Sequence, residues 1–472
     1  MTDIKIPELP LTDTINLEDL IVLEQASGTK KASIGTVLSL SDEQKIYGAQ
    51  RSLTSQTWTR TDDAVGLTAN ATFDGSVVTN DFDSLYPWNS IITQNISNDG
   101  TINAQYGDLN FKFDGSNGNV MTYFPKMYIS RYMDSSYEYL KVSNKSFINS
   151  IEIEPFYVGR YCTEIDTASN PMSRSGAYND GVKNIGSFRT QARTKGSGWG
   201  LLDWRLFVIQ ILYQIEYADN NSQSKVGNGV MSLTNNSAYK AYIAESSVNR
   251  IILANSYANN FTVGQSIHLT TNGWNWDVAK YRVITSIEDY NSSYKSIYFD
   301  GDPVNITTSV YLIHSAVKSG ECDSLGMKSG CLTNDGKHSV IYRGVENLWG
   351  NQWQFIDSIN IKDWQAWVCY DNAEYISNKF TSPYVQLGYI NANANGNPSK
   401  MGFDSVNPLI GLTETIGTSY YGDYYYQNSG NRILAVGGYW PFGSYAGLFS
   451  FYCSNSSSGT FYYFGSRLCK TA

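Results

Sequence analysis

Apolar and polar residues alternate in short runs along most of this chain, and Gly, Asn and Ser break the runs. Alternation of period two puts successive side chains on opposite faces of a strand, so the pattern predicts a strand-rich protein with many turns. From 57 to about 135 the segments are "WTRTDDAVGL", "YPWNSI" and "NFKFDGSNGNVMTYFPKMYISRY", and "FYVGRYCTEI" (156–165) reads as a further strand. Across 231–317, β-branched and aromatic residues alternate in segments such as "FTVGQSIHLTT", "YRVITSIEDY" and "TSVYLIHS", which predicts a small all-β, barrel-like insertion.

One stretch departs from that period. In "LLDWRLFVIQILYQIEYA" (201–218), Leu206, Ile209, Gln210, Tyr213 and Tyr217 fall near helical spacing behind Asp203, a residue suited to capping. This predicts a single scaffold helix packed on a sheet, with Asp203 and Glu216 as structural carboxylates. After the insertion, Tyr342, Trp349, Trp353 and Phe355 surround Gly344 and Gly350, the composition of an aromatic core with tight turns.

The N-terminal segment "LPLTDTINLEDLIVLEQASGTKKASIGTVL" reads as a strand at Leu20–Leu23, a turn at "ASGTKK" (26–31) and a second apolar segment at "ASIGTVL" (32–38). It is too small to bury a core alone, so it needs a partner surface. Neither a basic leader with an apolar stretch nor an apolar run of membrane-spanning length is present, so no membrane insertion is expected.

Composition narrows the function classes. The chain has 472 residues, a net charge of −9 and only 16% charged residues, so Ser, Thr, Asn, Gly and Tyr must cover much of the surface. That excludes the basic footprint of an electrostatic nucleic-acid binder. Cys162, Cys322, Cys331, Cys369, Cys453 and Cys469 lack close Cys-x-x-Cys pairing and lie apart from the three histidines, which argues against zinc. They are expected as thiols, with a Cys322–Cys331 bridge left open. "DGSNGN" (114–119) has a superficial calcium-loop look but lacks the downstream chelating Glu, and reads as a turn. His268 and His314 read as satisfied strand residues, His338 lies near a turn, and there is no Gly-x-Ser-x-Gly elbow. Neither a catalytic residue nor a cofactor is assigned.

The closing stretch "GGYWPFGSYAGLFSFYCSNSSSGTFYYFGSRLC" (437–469) sets eleven aromatic rings among six glycines and eight serines or threonines. Such a mixture suits a core with turns, a pocket mouth, or a paratope-like surface of rigid rings and adaptable polar groups.

The motifs "FRTQARTKGSGWGLLDW", "IYRGVENLWGNQWQFIDSINI" and "AVGGYWPFGSYAGLFSFYC…YYFGSRLC" occur in this order over residues 110–230 and 318–472. Together they resemble the C-type-lectin-like fold shared by phage tropism determinants, retroelement-diversified proteins and formylglycine-generating enzymes. The N-terminal segment is similar to the short adaptor that opens many phage tail-fibre and appendage proteins. The fold class expected is thus mainly β with some α: an N-terminal anchor (1–55), a β-rich body (56–135), a lectin-like domain in two parts (136–230 and 318–472), and the β-rich insertion (231–317).

By this resemblance Gly350, Asn351, Trp353, Asp357, Gly437, Gly438, Trp440, Gly447, Phe449, Gly465 and Arg467 are framework. Tyr439, Pro441, Phe442, Tyr445, Tyr452, Ser454, Asn455, Thr460, Phe461, Tyr462 and Tyr463 are displayed. Phe449, Phe451 and Phe464 are expected to be buried, and the "YYGDYYYQ" cluster (420–427) partly exposed, with Tyr424 and Tyr425 joining the receptor-binding face. The closely spaced cysteine pair of the formylglycine-generating enzymes is missing, since Cys453 and Cys469 lie sixteen apart, so that oxidase activity is not expected. The resemblance implies a virion adhesin that binds a bacterial surface receptor, protein or glycan, docks to virion proteins through 1–55, and assembles as a homotrimer. The alternative is a structural head, collar or tail decoration that binds no receptor.

Overall fold

The computed structural model describes residues 44–472 apart from 77, 166–169, 180–181, 235, 237, 273–276 and 418–419, together with the backbone of Leu20–Gln25 and Gly28–Ser33. Strands hold 37% of the chain and helices 11%, so the protein is mainly β with some α. Two units separate, 1–45 and 46–472.

In the first unit, Leu20–Gln25 pairs antiparallel with Gly28–Ser33, from Leu20 opposite Ser33 to Gln25 opposite Gly28. The second strand therefore begins at Gly28, and Thr29, Lys30 and Lys31 are in the ladder where a turn was expected. The rest of the second apolar segment, 34–38, lies outside the described residues.

In the second unit, a five-stranded antiparallel sheet runs in the order Ile151–Ile153, Met127–Met133, Tyr137–Ser143, Ile46–Ser52, Trp58–Asp62. Ile46–Ser52 thus belongs to the body rather than to a segment ending at 55. A six-stranded sheet runs Trp199–Leu201, Leu468–Thr471, Phe156–Gly159, Asn119–Phe124, Ile92–Ile96, Ile102–Gln105. The last strand of the chain is inside this sheet, and the expected divisions at 135 and 230 do not separate its members. "FYVGRYCTEI" is not one strand: it forms Phe156–Gly159 and Glu164–Ile165. At the break the Arg160 side chain turns into the core, where it donates to the Gly326 (2.9 Å) and Cys322 (3.3 Å) carbonyls.

The largest sheet has the order Val385–Ile390, Gln365–Val368, Trp353–Lys362, Asn431–Gly437, Gly447–Cys453, Tyr425–Gln427, with Phe464–Gly465 parallel to the start of Trp353–Lys362. Among the described residues two helices of more than one turn accompany the sheets: α1 (Ile185–Arg193) and α2 (Arg205–Tyr217). Helix α1 was not legible in the sequence. Asn184 caps it by accepting from the Ser187 N–H (2.8 Å), and Ile185, Phe188 and Ala192 face the core.

Helix α2 is the predicted helix, and the Asp203 carboxylate accepts from the Arg205 N–H (3.0 Å) at its start. All thirteen of its residues are buried, where one apolar face was expected. It packs on the strands Ile46–Ser52 and Tyr137–Ser143, while Phe207 and Tyr213 meet Phe451 and Phe449 of the large sheet (ring centroids 6.2 and 6.0 Å apart). A helix covered by a sheet on each side has no solvent face.

Among its described residues the 231–317 segment is all-β except for the single turn Asn255–Ala258. Its sheet runs Arg250–Ala254, Tyr294–Phe299, Ala279–Asp289, Ser266–Thr270, Tyr311–His314. Its two edge strands do not pair with each other; residues 239–242 bond to both ends, the Ala241 N–H donating to Val310 (2.9 Å) and the Tyr242 N–H to Ile252 (2.8 Å). Ile251, Leu253, Ile267, Leu269, Ile297, Phe299 and Leu312 form a core of its own. Within it, burial pushes the His268 imidazole down to about 3 and that of His314 to about 4, so both are neutral. His268 Nδ1 accepts from the Tyr281 N–H (3.0 Å), and His314 Nδ1 lies 2.7 Å from the Thr234 carbonyl oxygen.

All six cysteines are unbridged, Cys322 and Cys331 included. Among the described residues no helix is long and apolar enough to cross a membrane.

Candidate functional site: an uncharged aromatic face

The framework begins at Gly350 and Asn351, both with left-handed backbone (φ +70° and +58°). A Cβ on Gly350 would stand 2.7 Å from the Val230 carbonyl oxygen, an approach only glycine allows. The Asn351 N–H donates to that carbonyl (2.8 Å), and its Oδ1 accepts from the Val317 N–H (2.9 Å), so one residue holds both ends of the insertion.

The chain then enters Trp353–Lys362. Trp353 is fully buried, with its N–H on the Tyr463 carbonyl (3.0 Å), and Gln352 Nε2 donates to the Tyr462 carbonyl (2.9 Å). Asp357 receives the Arg189 guanidinium of α1 (Nε to both oxygens, 2.9 Å). Arg467 is sealed from solvent and donates to the carbonyls of Gly159, Arg160, Glu346 and Asn347 and, at 2.7 Å, to Gln354 Oε1. All eleven residues read as framework are buried.

On this base lies a continuous series of half-buried rings. Tyr445 meets Tyr424 (centroids 4.5 Å apart), Tyr424 meets Tyr426 (4.5 Å), and Tyr426 meets Phe442 and Tyr452 (5.4 Å each). Phe442 continues to Tyr439 (4.6 Å), Tyr439 stacks on Tyr463 (4.7 Å, 27°), and Tyr463 reaches Phe461 (5.3 Å). Trp353 forms the floor, edge-on to Phe442 (5.3 Å, 89°) and beside Tyr452 (5.2 Å), with Phe464 under Tyr452 (5.4 Å). Tyr445, 43% exposed, stands at one end of the series.

No Asp, Glu, Lys or Arg occurs in 424–427 or 439–466. Burial raises the Tyr426 hydroxyl to about 12 and pushes those of Tyr439, Tyr452 and Tyr463 up as well, so they remain neutral donors at physiological pH. Ser454 lies against the Tyr452 hydroxyl, and the Asn455 carbonyl accepts from the Ile433 N–H (3.0 Å), which fixes the rim to the central strand. Pro441 is half-buried and Thr460 exposed on the same loops.

Two expected face residues point inward. Tyr425 is 1% exposed and donates to the Ala392 carbonyl (3.1 Å); Tyr424 and Tyr426, its neighbours along an extended segment, take the outer side. Tyr462 is 7% exposed and packs with Trp440, Val230 and Leu233, while Phe461 and Tyr463 stay on the face. Tyr426 is the ring that sequence reading missed, and the alternation within "YYYQ" was the available signal. Phe449, Phe451 and Phe464 are buried as expected, and the 420–427 cluster is mixed, with Tyr420 exposed and Tyr421 in the core.

The other polar groups singled out in the sequence serve the scaffold. Glu216 receives Arg343, Tyr342 (2.9 Å) and Asn80 (2.8 Å), and Asp203 receives Arg205 and Tyr375 (3.0 Å). Asp114 accepts from the backbone and hydroxyl of Ser116 (2.9 and 2.6 Å), the bonding of a turn. No protein-family model matches the chain, and no curated protein matches it in sequence.

Proposed function

We propose that this protein is a phage virion adhesin that binds a bacterial surface receptor through the aromatic face of Tyr424, Tyr426, Tyr439, Phe442, Tyr445, Tyr452, Phe461 and Tyr463. The observation that carries the reading is the continuity of these rings at the surface without a charged side chain among them. Rigid rings give contact area at small entropic cost and stack on sugar C–H faces or on apolar protein side chains, while their hydroxyls hydrogen-bond at the edge. Individually weak contacts multiply when many copies engage one cell, and a homotrimer anchored through the N-terminal unit, residues 1–45, supplies such copies. The likeness of the N-terminal segment to tail-fibre adaptors supports that anchoring.

The test is binding of labelled protein to cells of the host, comparing the wild type with a Phe442→Ala, Tyr445→Ala, Phe461→Ala variant of matched thermal stability. Saturable wild-type binding that the variant loses is the expected result. Absence of wild-type binding to hosts that the parent particle infects overturns the reading in favour of a structural virion component.

A further inference from the structure

On the adhesin reading, on which this rests, we infer that the receptor is a neutral glycan of more than one sugar unit, laid across Phe442 with its hydroxyl groups on the tyrosines to either side.

The feature that calls for such a ligand is a set of unused hydroxyls. Tyr424, Tyr426, Tyr439 and Tyr463 make no hydrogen bond through their phenol oxygens among the described residues, and none of these oxygens is sealed from solvent. Tyr452, by contrast, is already engaged by Ser454. The rings hold one another in place, Tyr424 on Tyr426 (4.5 Å) and Tyr439 on Tyr463 (4.7 Å). Between the two pairs lies Phe442, 5.4 Å from Tyr426 and 4.6 Å from Tyr439, with no polar group of its own. A hydroxyl-bearing pair thus flanks an apolar ring on each side.

Each phenol hydroxyl both donates and accepts, and so does each hydroxyl of a sugar, whose C–H face is apolar. Two tyrosine pairs separated by a phenyl ring are more than one pyranose covers, so the chain engaged has further units. Charged ligands are disfavoured, because 424–427 and 439–466 hold no Asp, Glu, Lys or Arg to replace the hydration an ion would lose. A protein partner fits less well. Protein interfaces take roughly 20–30 residues a side and are enriched in Arg and Met as well as rings. Neither Arg nor Met occurs in these segments.

The test measures attachment of labelled protein to host cells, untreated, protease-digested or oxidised with periodate, which cleaves vicinal diols. Protein-free fragments of the host's surface polysaccharide serve as competitors. Attachment should survive protease and about 1 M salt and be lost after periodate. Fragments of two or more units should compete at least about tenfold better than the monosaccharides. Tyr426→Phe and Tyr439→Phe remove only oxygens that bond to nothing inside the protein, so their melting temperatures should match the wild type. Each should weaken fragment binding about threefold or more, and Tyr290→Phe on the insertion should leave it unchanged. Attachment that protease abolishes and periodate spares, that salt abolishes, that monosaccharides inhibit equally well, or that both Tyr→Phe variants retain in full overturns the glycan and leaves the adhesin reading standing. Untreated host cells that bind no wild-type protein overturn both.

Discussion

The Arg343 guanidinium grips both carboxylate oxygens of Glu216, with Nη2 2.6 Å from Oε1 and Nε 3.1 Å from Oε2, and the two side chains are 5% and 0% exposed. The pair joins the end of α2 to the turn at 341–346, and Tyr342 and Asn80 satisfy the remaining oxygen sites. Arg343→Met leaves a buried carboxylate without its cation and should cost about 3–5 kcal/mol in urea unfolding. The double variant Glu216→Gln, Arg343→Met should recover part of that loss, because the only carboxylate then left without Arg343 is Asp83, whose side chain is 44% exposed and reaches water.

Asp423 has the opposite environment. It is 1% exposed and accepts from the Phe449 N–H (2.6 Å), and burial raises its carboxyl to about 8. The folded state then holds a proton that the unfolded chain releases near pH 4, so the associated stability is present in acid and is lost as pH rises through about 8. Between pH 5 and 7 the wild type should lose up to about 1.4 kcal/mol per pH unit from this group. The urea midpoint of Asp423→Asn should fall less steeply with pH, by the contribution of one proton.

Tyr425 and Tyr426 are adjacent in sequence and opposite in role. Tyr425→Ala empties a core site and should cost about 3–5 kcal/mol in chemical denaturation. Tyr426→Ala should cost less and should weaken attachment to host cells. Equal stability losses from the two would contradict the inward and outward assignment.

Gly350 and Gly75 have similar backbone angles (φ +70° and +73°), but only Gly350 faces a neighbour that blocks a Cβ. Gly75→Ala should cost about 1 kcal/mol, the left-handed penalty alone. Gly350→Ala must also displace the Val230 carbonyl, and its unfolding midpoint should drop further, with the start of the insertion loosened.

Much of the local structure was legible because its cause is local. The period-two segments became strands, the apolar run after Asp203 became α2, and the β-branched segments of 231–317 became a five-stranded sheet with its own core. The framework glycines and the buried Trp353 and Arg467 were assigned through the resemblance of their motifs, not through any period of their own. The break at 160–163 and helix α1 were missed, because "GRYCT" and "NIGSF" carry no strong period of their own and are held by distant partners, Arg160 by the Gly326 carbonyl and Arg189 by Asp357, although the Asn184 cap itself is local.

By itself, then, the sequence determined that this is a mainly β protein with one scaffold helix, a β-rich insertion and an uncharged, ring-rich C-terminal segment, since alternation, helical spacing and charge are properties of neighbouring residues. The tertiary structure alone decided that the last strand enters the sheet that also holds Asn119–Phe124 and Ile92–Ile96 of the body, that α2 has no outer face, and which rings share the surface. Those outcomes depend on side-chain direction and on contacts between residues hundreds of positions apart, as where Trp199–Leu201 and Phe156–Gly159 flank Leu468–Thr471. A one-residue change of parity is enough to send Tyr425 inward and Tyr426 out.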